Sequence, residues 1–191
     1  MPSPADPSLT TAAAAGIERV ADAVNAAPGV PVVVLIDGRS GAGKSTFADT
    51  LAARFPDAAV VRLDDVYPGW DGLRAATDIV HERVLTPLRR GEAARWPLWD
   101  WSRDRPSGRH ATVDPAPVII VEGAGVLTAA SAALADITVW LEAPDAARKT
   151  RALARDGDAY RPHWERWATQ EDAHLRENRP AELARIVVAL P

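Results

Sequence analysis

"VPVVVLIDGRSGAGKST", residues 30–46, places a run of apolar residues directly before a glycine-rich loop and the start of a helical segment. The run "VPVVVLI" (30–36) is typical of a strand that is buried on both faces of a parallel sheet. The loop satisfies the pattern G-x-x-x-x-G-K-[ST] at Gly38, Gly43, Lys44 and Ser45. A strand before this pattern and a helix after it, from about Lys44 to Phe55, are the context in which such a loop binds phosphate.

The same loop indicates which chemistry the site performs. Glycines allow successive backbone N–H groups to point at phosphates, and the positive end of the following helix adds to the attraction. Lys44 is long enough to reach the β- and γ-phosphates, and the Ser45 hydroxyl is a ligand that Mg²⁺ accepts. We therefore predict that ATP and Mg²⁺ bind here, at Gly38, Ser40, Gly41, Ala42, Gly43, Lys44, Ser45 and Thr46.

Outward from the loop, short apolar strands alternate with helical segments over most of the chain. We predict strands at 30–36, 58–63, 117–122, 137–142 and 185–190, and helices at 9–24, 44–55, 74–90, 127–135, 145–156 and 162–177. This alternation predicts an α/β fold, a P-loop NTPase-type three-layer sandwich with a mostly parallel sheet and helices on both faces. We expect one domain over residues 9–191, a disordered segment at 1–8 and a surface loop at 102–117.

Composition excludes several classes of function. The hydrophobic content of 47% and the charged content of 25% are those of a globular protein. A formal net charge of −4 argues against a broad nucleic-acid-binding surface. The chain has no cysteine, which rules out disulfides and thiol nucleophiles, and no run approaches the roughly 18 apolar residues of a membrane span. We expect a cytoplasmic protein whose partner is a small molecule and not a membrane or a nucleic acid.

Two adjacent carboxylates, Asp64 and Asp65, follow the second predicted strand in "RLDDVYPGWDG" (62–72). Ligands of parallel α/β sheets collect at the carboxyl ends of the strands, so this pair is expected beside the γ-phosphate. A carboxylate at that point can accept the proton of an attacking hydroxyl group, and Asp64 is the better candidate. The alternative is that one of the pair caps the next segment or binds Mg²⁺ through water.

The stretch "WPLWDWSRD" (96–104) contains three tryptophans and two aspartates. An aromatic wall beside a carboxylate suits a flat or hydroxylated ligand, because the ring gives stacking area and the carboxylate accepts hydroxyl hydrogen bonds. We assign that role to Trp99 and Asp100. For Trp96 and Trp101, packing at the edge of the core is at least as good an interpretation.

The chain resembles the uridine–cytidine kinase family, in the phosphoribulokinase/uridine kinase group, through five stretches in the family's order. These are "IDGRSGAGKST" (36–46), "LDDVY" (63–67), "PLWDWSRDR" (97–105), "VIIVEG" (118–123) and "RKTRALARD" (148–156). The resemblance implies that Asp64 is the base and that Glu122 helps Ser45 and Asp64 to hold Mg²⁺. It also implies that Tyr67 and Asp71 join Trp99 and Asp100 in the acceptor pocket.

The sequence departs from this family in the acceptor pocket. Trp99 stands where the family has a tyrosine, and the histidine that usually follows a few residues later is absent. A site without its base-reading hydrogen bonds discriminates less between ligands. The acceptor is therefore left open among a nucleoside, a sugar, a pantothenate-like alcohol and a hydroxylated antibiotic.

Arg148, Arg151 and Arg155 are spaced i, i+3 and i+7, so they share one face of a predicted helix, and Arg161 follows a Gly/Asp turn. A solvated basic face is the ordinary explanation of such a pattern. The resemblance implies instead a helical arginine-rich lid at about 145–165, which neutralises the transferring phosphoryl group and excludes water. We expect Arg151 and Arg155 to act in catalysis, Arg148 and Arg151 to bind ATP, and Arg161 to bind the acceptor.

These features predict a small-molecule kinase that uses MgATP, with Lys44 and Asp64 among its catalytic residues and an acceptor-binding region at about 64–110. The alternative is an ATP-binding regulatory protein without transferase activity. A regulator needs neither a carboxylate at the point of attack nor an aromatic acceptor pocket, which favours the kinase.

Overall fold

A five-stranded parallel sheet forms the centre of the molecule. The computed structural model describes residues 7–191, with side chains from residue 10 onward. The strands of this range are β1 (Val32–Asp37), β2 (Ala58–Arg62), β3 (Ala94–Asp100), β4 (Arg105–Val113), β5 (Val118–Glu122), β6 (Ile137–Glu142) and β7 (Ile186–Ala189). Five of them are parallel neighbours in the order β2-β5-β1-β6-β7, so β1 lies at the centre of the sheet.

Helices occupy most of the connections between these strands. They are α1 (Pro7–Ala26), α2 (Lys44–Ala52), α3 (Leu73–Ile79), α4 (Thr86–Arg89), α5 (Ala129–Ala132), α6 (Asp145–Tyr160), α7 (Trp164–Asn178) and α8 (Pro180–Leu183). A π-helical segment, Val80–Leu85, joins α3 to α4, and single 3-10 turns occur at Leu63–Asp65 and Arg161–His163. The helix α6 is interrupted at Gly157, whose backbone (φ 56°, ψ −135°) is not helical.

The side chains of β1 alternate between two hydrophobic cores. Val33 and Leu35 pack in the core that contains α3, the π-helical segment and α7. Val34 and Ile36 pack on the opposite face of the sheet with α1 and α2. Every residue of β1 is buried, as expected for a central strand covered on both faces. The predicted three-layer α/β sandwich is confirmed, and each predicted strand lies within two residues of an observed one.

The prediction of a surface loop at 102–117 is wrong, because most of this tract is the second strand of a β-hairpin. The strand β4 pairs antiparallel with β3, and Ala94 and Trp96 lie opposite Val113 and Ala111 on the side that faces the core. The other side of the hairpin is largely exposed. Only two residues of each strand point toward the core, so the alternation of apolar and polar residues is very short. The prolines and glycines of the tract are typical of loops and make this alternation hard to detect in the sequence.

The first helix begins at Pro7, and residues 1–6 lie outside the described part of the chain. The prediction of a disordered segment at 1–8 therefore falls mainly outside what the structure describes. The assignment of residues 9–191 to one domain stays a prediction. Among the helices of residues 7–191, none is long and apolar enough to cross a membrane.

The hairpin should contribute to the stability of the main core through Trp96, which is 2% exposed. Trp96→Ala should lower the free energy of unfolding by about 3–5 kcal/mol, because it leaves a large cavity in a packed core. Arg95→Ala, at an exposed position on the same strand, should change that free energy by less than about 0.5 kcal/mol. Urea denaturation of both variants measures the difference, and equal stabilities would show that the hairpin is not part of the core.

Candidate active site

The loop between β1 and α2 has the backbone shape that phosphate binding requires. Gly41 and Gly43 have φ values of 78° and 96°, in the left-handed region that favours glycine. Gly43 is the N-cap of α2 and makes no side-chain cap bond. The first N–H groups of α2 therefore lack a side-chain acceptor from the capping position, and a bound anion can take that place.

Side chains from the carboxyl-terminal helices hold this loop. On α7, the buried carboxylate of Glu171 accepts the backbone N–H of Ser40 at 2.6 Å and the Nε–H of Arg39 at 3.0 Å. On α6, Arg148 is 3% exposed and donates to the carbonyl of Ser40 at 3.0 Å. Arg151 donates its Nε–H to the carbonyl of Gly41 at 2.9 Å. Two of the predicted lid arginines thus support the loop directly.

The approach of α6 to the loop is close enough to require glycine. A Cβ atom built on Gly41 would lie 2.1 Å from the backbone oxygen of Arg148, which is far inside van der Waals contact. The close packing places the start of α6 directly on the phosphate loop. Helix and loop are therefore one packed unit in this structure.

Asp37, the last residue of β1, is a buried carboxylate that the sequence reasoning missed. It is 1% exposed and accepts the N–H groups of Gly38 at 2.7 Å, Gly125 at 3.1 Å and Leu127 at 2.8 Å. His174 of α7 lies beside it, with Nε2 at 3.1 Å from Oδ2. A charged residue at the end of an apolar strand is a detectable signal, because a buried carboxylate has to be paired or hydrogen-bonded.

The predicted metal ligands Ser45, in the first turn of α2, and Glu122, at the end of β5, are in direct contact. The strands β1 and β5 are paired so that Ile36 is the partner of Glu122, and the Ser45 hydroxyl donates to Glu122 Oε1 at 2.9 Å. Burial raises the pKa of Glu122, and the charge of Asp64 adds to this, while Lys44, Ser45 and Arg62 oppose it. Bound Mg²⁺ would relieve the cost of this buried negative charge.

The donor set fits Mg²⁺ better than a metal held by protein ligands alone. No group of three or more His, Cys, Asp or Glu side chains in the described range is arranged to hold a metal ion. Mg²⁺ in nucleotide sites is usually held by one or two carboxylates together with phosphates and waters. One buried carboxylate and one hydroxyl beside the loop are therefore a sufficient protein contribution.

Two cations face the phosphate loop with bonding capacity for an anion. Lys44 Nζ donates to the carbonyl of Arg39 at 3.2 Å. Arg151 Nη2 is buried and has no hydrogen-bond partner among the described residues. Burial lowers the pKa of Arg151, and the neighbouring charge of Arg148 lowers it further. A phosphate would satisfy the unpartnered donor and stabilise the positive charge.

Asp64 and Asp65 form the 3-10 turn that follows β2, and both are exposed. The charge of Asp64 acts on Glu122, as described above, and also on Arg155. The pKa of Arg155 is raised mainly by its hydrogen bond to Asp156 and further by the charges of Asp156 and Asp64. The charge of Asp64 therefore acts on one residue of the candidate metal site and on one residue of the candidate lid.

Two tryptophans of the hairpin fix the backbone of this turn. Trp101 donates its indole N–H to the carbonyl of Asp64 at 3.2 Å, and Trp96 donates to the carbonyl of Asp65 at 3.1 Å. Core packing is the observed role of Trp96. Trp101 is 39% exposed, so the core interpretation of that residue is wrong. The third tryptophan, Trp99, donates to Asp104 Oδ1 at 3.3 Å.

The other predicted acceptor residues have partners within the protein. Asp100 accepts from the backbone and hydroxyl of Ser102, and this hydroxyl bond is the main reason why the pKa of Asp100 is lowered. The carboxylate of Asp71 pairs with Arg166 of α7, and this hydrogen bond lowers its pKa. Tyr67 is buried and donates its hydroxyl to a backbone carbonyl at 2.9 Å, so it shapes the wall rather than offering a free polar group.

The remaining lid residues lie toward the solvent. The side chain of Arg155 is 55% exposed and bonds Asp156. The side chain of Arg161 is 63% exposed and lies 3.5 Å from Asp158. The structure therefore brings Arg148 and Arg151 to the loop and leaves Arg155 and Arg161 outside it.

An aromatic cluster that the sequence reasoning missed closes the site between the lid and the turn at Leu63–Asp65. The Trp70 ring stacks on His163 (centroids 4.1 Å apart, planes at 9°) and lies nearly parallel to Tyr160 (5.6 Å, 14°). Trp101 meets Trp70 edge to face at 5.1 Å. Trp70, Trp101 and the pair formed by Tyr160 and His163 come from three separate parts of the chain, so no local pattern links them.

The comparisons with known proteins point in one direction. The chain is 30% identical to the uridine kinase of Brevibacillus brevis strain 47, with 67% of each protein covered. It is 29% identical to the uridine kinase of Latilactobacillus sakei strain 23K, over 66% of this chain and 67% of that protein. No protein-family model matches the sequence.

The fold has the same likeness among solved structures. A structure from Bacillus stearothermophilus titled as a "possible uridine kinase" superposes with a TM-score of 0.68 at 19% identity. The superposition covers 92% of this chain and 98% of that one. At 19% identity the structural similarity establishes the fold alone. The family is established by the sequence similarity to the two uridine kinases.

The contact between Gly41 and α6 predicts the effect of one added methyl group. Gly41→Ala should lower the free energy of unfolding by about 1–3 kcal/mol, because alanine is strained at φ 78° and collides with Arg148. It should also weaken MgADP binding about tenfold or more as α6 moves off the loop. Gly29→Ala, where the added methyl meets open space, should leave both quantities unchanged. Calorimetry and thermal melting test this, and normal MgADP binding by Gly41→Ala would refute the packing argument.

Proposed function

Because the chain belongs to the uridine kinase family of P-loop kinases, we propose that it transfers the γ-phosphoryl group of ATP to a hydroxyl group of a nucleoside-like small molecule. The observation that carries this proposal is the hydrogen bond from Ser45 to the buried carboxylate of Glu122, a carboxyl group whose pKa is also affected by the charges of Lys44 and Asp64. A hydroxyl, a buried carboxylate, an exposed carboxylate and an ammonium group are the protein parts that phosphoryl transfer uses. An ATP-binding regulator has no need of the exposed carboxylate.

The donor half of the site is proposed to bind ATP through the loop at 38–46. Lys44 gives up its bond to Arg39 and neutralises the β- and γ-phosphates, while the N–H groups at the start of α2 donate to phosphate oxygens. Ser45 and Glu122 hold Mg²⁺, with Asp64 at the edge of that site. The metal supplies charge neutralisation when it is bound.

The acceptor half is proposed to work through Asp64. The oxygen of the acceptor hydroxyl bonds to the γ-phosphorus while Asp64 takes the hydroxyl proton. The bond between the γ-phosphorus and the oxygen that bridges it to ADP breaks at the same time, and ADP leaves. The indole N–H of Trp101 holds the Asp64 backbone, which fixes where the carboxylate can reach. Preorganisation of this kind lowers the barrier because little reorganisation is needed during reaction.

The lid arginines have unequal parts in this proposal. Arg151 Nη2 is buried and has no hydrogen-bond partner within residues 7–191, so we assign it a direct contact with the transferring phosphate. Arg148 is already committed to the loop and acts by holding the loop's shape. Arg155 and Arg161 are exposed and belong to the part of the lid at 145–165 that would approach the substrates on closure.

The acceptor pocket is proposed to lie between the hairpin and the segment 69–71. The ring of Trp99 packs on Gly69, where an added Cβ would lie only 3.0 Å from it. Asp71 and Asp100 are bonded to Arg166 and Ser102, so an acceptor hydroxyl has to share or replace those bonds. Uridine is the first acceptor to test. Other nucleosides and sugars are alternative acceptors, because the pocket lacks the tyrosine and the histidine that the family usually has there.

The proposal predicts different effects for the two adjacent carboxylates. Asp64→Asn should lower kcat by about 10²–10⁴-fold, because the variant cannot accept the hydroxyl proton. Asp65→Asn, one residue away in the same exposed turn, should lower kcat by less than about tenfold. MgATP turnover is measured against a panel of nucleosides and sugars, with MgADP affinity as the control. A larger loss in Asp65→Asn would reassign the base, and no stimulation of turnover by any acceptor would favour the regulatory protein.

Substitution of Glu122 should have opposite effects on stability and on activity. Burial raises the pKa of this carboxyl, so its ionised form costs stability once the pH exceeds the ordinary pKa, and it does so at neutral pH. Glu122→Gln removes that charge and should raise the melting temperature of the ligand-free protein at pH 7. The same change should lower Mg²⁺-dependent turnover by about 10²-fold or more.

The control for this prediction is Glu142→Gln, at the exposed end of strand β6 in the same sheet. It should alter neither the melting temperature nor the turnover. A lower melting temperature for Glu122→Gln would mean that the hydrogen bond from Ser45 and the attraction of the Lys44 charge outweigh the cost of burial. Unchanged Mg²⁺ dependence would remove Glu122 from the metal site.

A further inference from the structure

Tyr160 lies near the end of α6, beyond the break at Gly157, and the reaction described above gives it no role. It is 4% exposed, and its hydroxyl donates to Ser40 Oγ at 2.9 Å. Burial raises the pKa of Tyr160, so the hydroxyl keeps its proton and remains a donor at neutral pH. The one polar group of a buried side chain is thus committed to the phosphate loop.

The ring of Tyr160 meets Trp164 of α7 edge to face and also contacts the other half of the site. It lies nearly parallel to the ring of Trp70, with centroids 5.6 Å apart. Trp70 belongs to the segment between the Asp64–Asp65 turn and α3, and its carbonyl accepts a hydrogen bond from Gln170 at 2.7 Å. Tyr160 therefore touches the phosphate loop with its hydroxyl and the acceptor-side segment with its ring.

A continuous set of contacts runs from the phosphate loop to the proposed base. Ser40 contacts Tyr160, Tyr160 contacts Trp70, and Trp70 meets Trp101 at 5.1 Å. Trp101 then donates to the carbonyl of Asp64. Packed side chains and hydrogen bonds of this kind can transmit a change at one site to another when both sites bias the same arrangement.

Nucleotide binding is expected to change the hydrogen bonds beside Ser40, the first residue of this set. Lys44 Nζ donates to the carbonyl of Arg39, the residue before Ser40. A lysine that reaches the β- and γ-phosphates gives up that bond. The hydrogen bonds next to Ser40 are therefore rearranged when nucleotide binds, and the hydroxyl of Tyr160 is bonded to the residue affected.

We propose that Tyr160 is a positioning residue, which couples occupancy of the phosphate loop to the placement of Trp70 on the acceptor side. The inference rests on the proposed function, because it takes nucleotide to bind at the loop. It adds that binding of the donor prepares the acceptor side before any acceptor is present.

The test uses MgADP alone and reads tryptophan emission from the full chain. In the wild type, emission should change as MgADP is titrated, and Trp70→Phe should remove most of that change. Tyr160→Phe keeps the ring and deletes only the hydroxyl. It should also lose the emission change, while its Kd for MgADP, measured by calorimetry, rises by no more than about tenfold, the value of one hydrogen bond.

The chain offers a matched control, since its one other tyrosine, Tyr67, is also buried and donates its hydroxyl to a backbone carbonyl. Tyr67→Phe should keep the emission change. Ser40→Ala deletes the same bond from the loop side and should reproduce Tyr160→Phe, so it carries the test if that variant does not fold.

Two results would overturn the inference. One is an unchanged emission response in folded Tyr160→Phe or Ser40→Ala, and the other is a wild type that binds MgADP without any response from Trp70. Failure of the wild type to bind MgADP in the calorimeter is a different result. It would refute the proposed function, from which the inference starts.

Discussion

A phosphate-binding loop has to present N–H groups to an anion and also keep its other backbone groups bonded when no anion is present. Buried side chains outside the loop meet the second requirement here. Asp37 accepts the N–H of Gly38, Glu171 accepts that of Ser40, and Arg148 bonds the carbonyl of Ser40. Each of these backbone groups would cost about 1–3 kcal/mol if it were buried without a partner. The shape of the loop therefore depends on residues from β1, α6 and α7.

The helix α7 contacts both halves of the site and so connects them. Glu171 on this helix reaches the phosphate loop, whereas Arg166 and Gln170 reach the acceptor side. Gln170 bonds the carbonyl of Trp70 and also accepts the N–H of Leu73 at the start of α3. Glu171 and two side chains that lie one and five positions before it on the same helix thus serve two sites, because neighbouring residues of a helix point in different directions.

Local signals explain how much was predictable. The loop at 38–46, the buried strands and Glu122 each have a motif or an apolar run of their own, and the structure has them at the predicted places in the fold: the loop between β1 and α2, and Glu122 at the end of β5. Glu171 gives no such signal, because it is one of several acidic residues on a highly charged helix, and no local motif separates it from the exposed Glu165. The contact between Trp70 and Tyr160 depends on the packing of α6 against the acceptor side, which no pattern within either segment records. The hairpin was missed because its inward face is so short.

The two indole hydrogen bonds from the hairpin to the turn at Asp64 and Asp65 have an evolutionary consequence. The strand that carries Trp99, which we propose for the acceptor pocket, also carries Trp96, and it is followed directly by Trp101. A substitution that reshapes the pocket by moving this strand also moves the backbone of the proposed base. Substrate preference and reaction rate are therefore not independently adjustable in this scaffold. New specificities should arise most readily through exchanges that alter a side chain of the hairpin and leave its backbone path unchanged.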